Sequence, residues 1–146
     1  MKFRNFDYKM FDKAKQIAST STYDGHSLGC VITYKGHIVS MASNSNKTHP
    51  MQKKYNKKYR SFNKTEKPIM DLGHAEMLAL ANIPYPIEQN IRWNEVNVYV
   101  YRICPGKRLQ MGLARPCAAC LAALRDKGVK NLYYSSDDGF IFEEIY

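Results

Sequence analysis

The two short segments His74-Ala75-Glu76 and Pro116-Cys117-Ala118-Ala119-Cys120 decide how this sequence folds and what its site contains. Cys117 and Cys120 are three positions apart, so on a helix their side chains share one face. The positive end of a helix dipole lowers the pKa of thiols in the first turn, which favours the thiolates that bind metals. One histidine and two cysteines fill three tetrahedral positions, and an open fourth position is typical of a catalytic zinc. The sequence therefore predicts a zinc site made of His74, Cys117 and Cys120.

Glu76 is the candidate catalytic residue. It follows His74 by two positions, which places a carboxylate near the metal site without forcing it to bind the ion. Zinc acidifies a water molecule at its open position. A carboxylate beside that water can accept a proton and deliver it elsewhere, and such acid–base catalysis contributes about 10²–10⁴-fold.

Each segment alone has a simpler explanation. His-Ala-Glu is common on solvated helices, and Cys-x-x-Cys can be a redox pair or half of a structural zinc site with four ligands. A fourth ligand is available from other cysteines and histidines of the chain: Cys30, Cys104, His26, His37 and His49. The two segments together favour a catalytic site, because each opens a predicted helix and the pair forms a joint H-x-E…P-C-x-x-C signature.

Length and composition indicate one folded domain, residues 1–146. Hydrophobic residues make up 45% of the chain, which suffices for a core and excludes a disordered chain. No apolar run approaches the roughly 20 residues of a membrane span, and the charged N-terminus lacks the apolar region of a signal peptide. We therefore expect a cytoplasmic protein without a membrane partner, whose four cysteines are metal ligands or free thiols.

Positive charge is concentrated just before His74. The net charge is +9, and eight of the 22 lysine and arginine residues lie between Lys47 and Lys67, against one acid, Glu66. The remainder of the chain is close to neutral by comparison. A local basic segment beside a predicted site suggests a ligand that carries phosphate.

The kind of phosphate ligand stays open. Tyr55, Tyr59 and Phe62 alternate with the cations of this segment, which is typical of proteins that stack bases and follow a single strand. The same cations could instead bind the phosphate of one nucleotide, or serve only solubility. Arg115, directly before Pro116, is a further candidate for a substrate contact.

The hydrophobic pattern predicts alternating helices and strands. Helical spacing is found over residues 6–20, 73–83 and 116–127, and strand-like runs over 28–34, 37–42, 96–103, 129–135 and 140–145. The polar stretch 43–70 has little apolar periodicity and is predicted to be a loop or an irregular insertion, and 105–115 is predicted to be a loop. This order predicts a layered α/β domain with helices packed on a mixed sheet.

The sequence resembles the cytidine deaminase-like superfamily, and among its members the deoxycytidylate and tRNA adenosine deaminases, which also carry His-Ala-Glu. The matching elements span about residues 28–135. The resemblance implies a three-layer α-β-α fold with a mixed five-stranded sheet. It implies that His74, Cys117 and Cys120 bind Zn²⁺ and that Glu76 shuttles protons. The separation of 43 positions between His74 and Cys117 is longer than is usual in the family.

The resemblance also implies substrate contacts. The backbone amide of Ala75 would meet the carbonyl or ring of the base, and an asparagine just after the second strand would contact the ribose. Asn44 and Asn46 both lie there, and Asn44 is favoured because it is nearer the strand end. Deaminases of this fold commonly self-associate, so a homo-oligomer is also expected.

The expected reaction is the zinc-dependent hydrolytic conversion of cytosine to uracil, in a nucleotide or in single-stranded DNA or RNA. Cytosine is favoured over adenine because the predicted strands run to the last residue, whereas tRNA adenosine deaminases carry a C-terminal helical extension. Two alternatives stay open. One is a deaminase of adenine in RNA or DNA, and the other is a non-catalytic zinc-stabilised module that binds nucleic acid.

Overall fold

The computed structural model describes residues 2–23, 25–60 and 71–146. The helices in these ranges are α1 (Asn5–Ala18), α2 (Pro50–Tyr59), α3 (Ala75–Ala81), α4 (Tyr85–Glu88) and α5 (Ala118–Lys127). The strands are β1 (Ser27–Tyr34), β2 (His37–Ser43), β3 (Val96–Ile103), β4 (Met111–Gly112), β5 (Asn131–Ser136) and β6 (Gly139–Glu144). None of the described helices has the length and apolar character needed to cross a bilayer.

The strands form one mixed sheet in the order β2-β1-β3-β5-β6, with β4 paired to the end of β3. β3 and β5 are parallel, and the other pairs are antiparallel. The crossover between the parallel strands contains α5, as parallel strands require. The predicted mixed sheet of five strands is confirmed, and the two-residue β4 adds a short sixth strand. This strand lies within residues 105–115, so the prediction of a loop is wrong at that point.

Helices cover both faces of the sheet, which gives the three predicted layers. α1 packs on one face over an aromatic cluster, where the rings of Phe11 and Phe140 stack with centroids 3.8 Å apart. α3 and α5 pack on the other face. Side chains of β3 alternate between the two faces: Tyr99 joins the cluster under α1, and Val98 and Val100 join the core under α3 and α5.

Local sequence signals set several element boundaries. The backbone N–H of Arg4 donates to the Asp7 carboxylate at 2.9 Å and caps α1. Lys35 and Gly36 both have positive φ, 49° and 80°, as a two-residue hairpin turn between β1 and β2 requires. Gly128, with φ of 101°, ends α5 in the left-handed conformation that favours glycine.

The prediction of a loop over 43–70 is wrong for residues 50–59, which form α2. His49 is the N-cap, and its Nδ1 accepts the N–H of Met51 at 3.2 Å. The hydrophobic pattern does not reveal this helix because its buried positions are the polar Gln52 and Asn56. Residues 61–67 of the basic segment, among them Phe62, Lys64 and Lys67, lie outside the described ranges.

The helix predicted over 116–127 begins two residues later, at Ala118. Pro116 precedes the helix, and Cys117 is its N-cap with an extended backbone, φ −67° and ψ 170°. Cys120 lies in the first turn. The two cysteines therefore flank the start of α5 instead of both lying inside its first turn.

Candidate active site

The side chains of His74, Cys117 and Cys120 converge where α3 and α5 begin. His74 Nδ1 lies 3.5 Å from Cys117 Sγ and 3.4 Å from Cys120 Sγ, and the three donor atoms lie within 4.8 Å of one another. Tetrahedral zinc, with bonds of about 2.3 Å to sulfur and 2.0–2.1 Å to nitrogen, places sulfur and nitrogen donors about 3.6 Å apart. The spacing and the chemistry of the donor set therefore fit one zinc ion.

The fold explains why these distant residues meet. His74 is the N-cap of α3, and Cys117 is the N-cap of α5. α5 follows β3 and leads into the parallel strand β5, so it begins at the carboxyl end of β3. In open α/β sheets this end of the strands is where ligands bind.

Electrostatics within the site prepare one thiolate. The hydrogen bond from Cys120, together with His74, lowers the pKa of Cys117 to about 3. The same hydrogen bond, together with burial, raises the pKa of Cys120 well above its usual value. Burial opposes charge on His74, but its hydrogen bond with Cys117 and the charge of Glu76 raise the pKa of the imidazole. Zinc binds thiolates, so the lowered pKa of Cys117 prepares one of the two sulfurs for the metal.

Glu76 lies beside the three donors in the first turn of α3. It is only 4% exposed, and its carboxyl group is in hydrogen-bond contact with the thiol of Cys120. Burial raises the pKa of Glu76, and the nearby His74 opposes that shift. A carboxyl group whose pKa is raised exchanges protons more readily near neutral pH, as a general acid and base must.

Sequence reasoning missed Gln52, a fully buried residue of α2. Its Oε1 accepts the backbone N–H of His74 at 3.1 Å and lies 4.0 Å from Cys120 Sγ. Its Nε2 donates to Asn56 Oδ1 at 2.9 Å, and Asn56 donates to Asp71 Oδ1 at 3.2 Å. The only signal in the sequence was a pair of uncharged amides four positions apart in a segment rich in lysine and tyrosine.

The two asparagines after β2 have different surroundings. Asn44 is buried, its Oδ1 accepts the N–H of Leu28 at 3.0 Å, and its Nδ2 donates to the carbonyl of His26 at 3.0 Å. Asn46 is exposed, and its Oδ1 accepts the hydroxyl of Thr22 at 3.3 Å. Asn44 therefore links the loop before β1 to the end of β2, and its contact with ribose stays a prediction.

Ala75 and Arg115 differ in burial and in their partners. Ala75 is the buried first residue of α3, so its N–H belongs to the first turn, where no carbonyl four residues earlier is available within the helix. Arg115 is exposed and forms a forked ion pair with Glu143, at 3.1 and 2.9 Å. It borders a cleft of about 460 Å³ that Tyr59 and Arg125 also line. The pair with Glu143 uses Nε and Nη2 of Arg115 and leaves Nη1 for a phosphate contact, and this role stays a prediction.

Within the described ranges, the side chains able to hold a metal are those of His74, Cys117 and Cys120. Cys30 is fully buried in the core under α3 and α5, and His49 caps α2. The described residues therefore form a site with three protein ligands, not a structural site with four.

Comparisons with known proteins agree with this geometry. Residues 4–136 match the family model described as the cytidine and deoxycytidylate deaminase zinc-binding region. No curated protein matches the chain. The fold is similar to that of dCMP deaminase from the cyanophage S-TIM5 in apo form, with 16% identity, a TM-score of 0.59, and coverage of 92% of this chain and 86% of that chain.

Two further solved structures are similar. The same cyanophage enzyme in complex with dCMP and dUMP has 15% identity and a TM-score of 0.59, with 93% of this chain and 85% of that chain covered. Cytidine deaminase from Burkholderia pseudomallei has 14% identity and a TM-score of 0.57, with 94% and 91% covered. At these identities the likeness shows the fold alone.

The family match covers most of the chain and describes a zinc-binding region. The three-layer fold and the resemblance to the cytidine deaminase-like superfamily are confirmed. Zn²⁺ is confirmed as the cofactor by the family and by the three donors that meet at one point. The chain belongs to the cytidine and deoxycytidylate deaminase family.

Proposed function

We propose that this protein is a zinc-dependent hydrolytic deaminase that converts cytosine to uracil in a nucleotide or in single-stranded nucleic acid. The observation that carries the proposal is the convergence of one imidazole nitrogen and two sulfurs beside a buried carboxyl group. His74, Cys117 and Cys120 would hold the ion, and three protein ligands leave one tetrahedral position for another molecule. When bound there, zinc acidifies water and makes it a nucleophile near neutral pH.

Glu76 has the position and the raised pKa for the proton transfers of this reaction. Its carboxylate accepts a proton from the attacking water as the water oxygen bonds to C4 of cytosine. The protonated carboxyl group then donates to the ring nitrogen N3. A second proton passes through Glu76 to the amino group, the C4–N bond breaks, and uracil and ammonia leave. One water molecule is consumed, so atoms and charges balance.

The other predicted site residues would orient the base and the sugar. The N–H of Ala75 points from the start of α3, where it could donate to the base carbonyl. Asn44 directly follows β2 and accepts the N–H of Leu28, and it could contact the ribose. The family name supports a cytosine substrate over an adenine one.

The exposed lysines of α2 favour a substrate with phosphate groups, in a single nucleotide or a strand. All four cysteines are free thiols, and the two that would bind zinc must stay reduced. We therefore place the enzyme in the cytoplasm. Self-association, expected from the superfamily, is part of the same proposal.

The test is ammonia release by the zinc-bound protein with matched cytosine and adenine substrates: nucleosides, nucleoside monophosphates, and short single strands of DNA and RNA. Mass analysis of each product identifies the base, the sugar and the polymer that react. Uracil products support the proposal. Hypoxanthine products alone would replace it by adenine deamination, and tight binding of zinc and strands without ammonia would replace it by a binding module.

A further inference from the structure

Arg102 lies at the carboxyl end of β3, on the face of the sheet that α3 and α5 cover. Val98 and Val100 join the core on that face. Because successive side chains of a strand point to opposite faces, Arg102 shares the face of Val98 and Val100. Gly112 of β4 pairs with Arg102, and a Cβ atom at Gly112 would lie only 3.4 Å from Arg102 Cδ. The apolar side chains on this face of β3 are therefore followed by the positively charged Arg102. Gly112 of β4, which has no side chain, leaves space beside it.

Arg102 belongs to a row of residues on adjacent strands. Leu28 of β1 is its register partner, and the N–H of Leu28 donates to Asn44 at the end of β2. Leu28 also packs against the core cluster that contains Cys120. Since α5 begins at this end of β3, the row of Asn44, Leu28 and Arg102 borders the metal donors.

Arg102 is only partly buried, and its contacts within the protein leave one buried donor atom without a partner. Its Nε atom is buried and has no hydrogen-bond partner. None of the salt bridges formed by the described residues includes Arg102. Buried donors are nearly always paired, so an unpaired guanidinium donor at a ligand site indicates an acceptor supplied by the ligand.

The surroundings of Arg102 are positively charged. The pKa of His26, in the loop before β1, is lowered by partial burial and by the charges of Arg102 and His74. Arg60, at the C-terminal end of α2, is a second arginine whose charge acts at His74. Arg102 of β3 and Arg60 at the end of α2 therefore bring positive charge to the surroundings of the site, where it attracts an anion.

We propose that Arg102 binds a phosphate group of the substrate, so that the site selects nucleotides over nucleosides. The planar guanidinium offers paired donors that match phosphate oxygens. The inference rests on the proposed function, because it assumes that the base lies at the metal donors. The phosphate can belong to a free mononucleotide or to one link of a single strand, since both present the same oxygens.

Binding of reaction products tests this role, because products are not turned over. Calorimetry compares deoxyuridine monophosphate with deoxyuridine on the zinc-bound protein. Arg102→Gln should lower the preference for the monophosphate by about 10- to 100-fold. Arg102→Lys should recover part of the preference for the monophosphate, because lysine keeps the positive charge but lacks the paired donors of the guanidinium. Arg92→Gln is the matched control, since this exposed arginine precedes β3 at its opposite end.

A short single strand of deoxyuridine nucleotides distinguishes the two sources of phosphate. Weaker binding of the monophosphate by Arg102→Gln indicates a mononucleotide site, and weaker binding of the strand alone indicates a phosphodiester site. The proposal is overturned if Arg102→Gln leaves the preference over deoxyuridine unchanged for both the monophosphate and the strand. It is also overturned if the variant weakens binding of the nucleoside as much as binding of the monophosphate. Ammonia release is measured separately, so failure of the deaminase proposal is visible whatever the binding ratios are.

Discussion

The side-chain oxygen of Gln52 accepts the backbone N–H of His74 at 3.1 Å, which ties α2 to the residue that begins α3. Gln52 is fully buried and also lies 4.0 Å from Cys120 Sγ. The side-chain Nε2 of Gln52 donates to Asn56 Oδ1 at 2.9 Å. A helix from the basic segment is therefore part of the support for the metal donors.

Loss of Gln52 should weaken zinc binding, because groups that orient metal ligands typically change metal affinity by about 10- to 100-fold. We expect Gln52→Ala to lower zinc affinity by that factor, measured by competition with a chelator. Gln16→Ala, on the exposed face of α1, is the control and should bind zinc as the wild type does. Equal zinc affinity in the two variants would remove Gln52 from the site.

Glu76→Gln should separate catalysis from metal binding. Because the amide cannot carry protons, we expect turnover to fall by about 10²–10⁴-fold or more. Zinc content should stay at the wild-type level, since Glu76 is not a ligand. Glu95→Gln changes an exposed glutamate away from the site and should keep full activity. Substantial turnover by Glu76→Gln would eliminate the proton-transfer role.

Cys117→Ser should lose zinc and stability together, because metal binding and folding are coupled. Thermal unfolding and metal analysis measure the two losses, and a chelator should destabilise the wild type in the same direction. Cys104→Ser changes a free thiol outside the donor group and should retain zinc. A Cys117→Ser protein with a full complement of tightly bound zinc would contradict the assigned ligands.

The regular elements on either side of the site were predictable because their hydrophobic periods are plain. β3 was predicted over its observed bounds, and the predicted helix over 73–83 contains α3. The donor residues were predictable because the metal restricts their chemistry and spacing. The convergence of the two segments across 43 positions comes from the crossover that carries α5 back over the sheet.

The contacts around the metal donors could not be predicted from the hydrophobic periodicity of the sequence. α2 is buried through Gln52 and Asn56, so its polar inner face resembles a loop in sequence. The pairing of Arg115 with Glu143, which are 28 positions apart, depends on the packing of β6 beside the start of α5. Arg102 appears in sequence as the end of an apolar strand, and only the sheet register shows which residues border it.

Asp7 should make stability depend on pH. The carboxyl group is fully buried and accepts the hydroxyl of Tyr99 at 2.6 Å. Burial alone would raise its pKa, but the bonds from Tyr99 and Arg4 lower it below its usual value of 3.8. A group with a lowered pKa stabilises the fold above the unfolded-state value, and this contribution is lost as the pH falls through the folded-state pKa.

We therefore expect Asp7→Asn to cost about 1–3 kcal/mol of unfolding free energy at neutral pH. The difference in unfolding free energy between Asp7→Asn and the wild type should narrow below pH 3.8, as urea unfolding over a pH series would show. Asp12→Asn, at an exposed position of the same helix, should have a small effect throughout. A gap that does not change with pH would contradict the role of the Asp7 charge.

The lysines of α2 should reveal whether strands are bound. Lys53 and Lys57 are exposed, and each contact to a single strand adds about −0.7 to the slope of log affinity against log salt. If both contact phosphates, replacing both by Gln should flatten the slope by about 1.4. The same replacement at Lys9 and Lys13 of α1 is the control. An unchanged slope would reject a strand contact by these two lysines.

X-ray absorption at the zinc edge of the purified wild-type protein tests the central claim most directly. The assigned ligands predict two sulfurs at about 2.3 Å, one imidazole nitrogen at about 2.0–2.1 Å and one further light atom. A shell of four sulfurs, a shell without sulfur, or a protein that takes up no zinc would contradict the account.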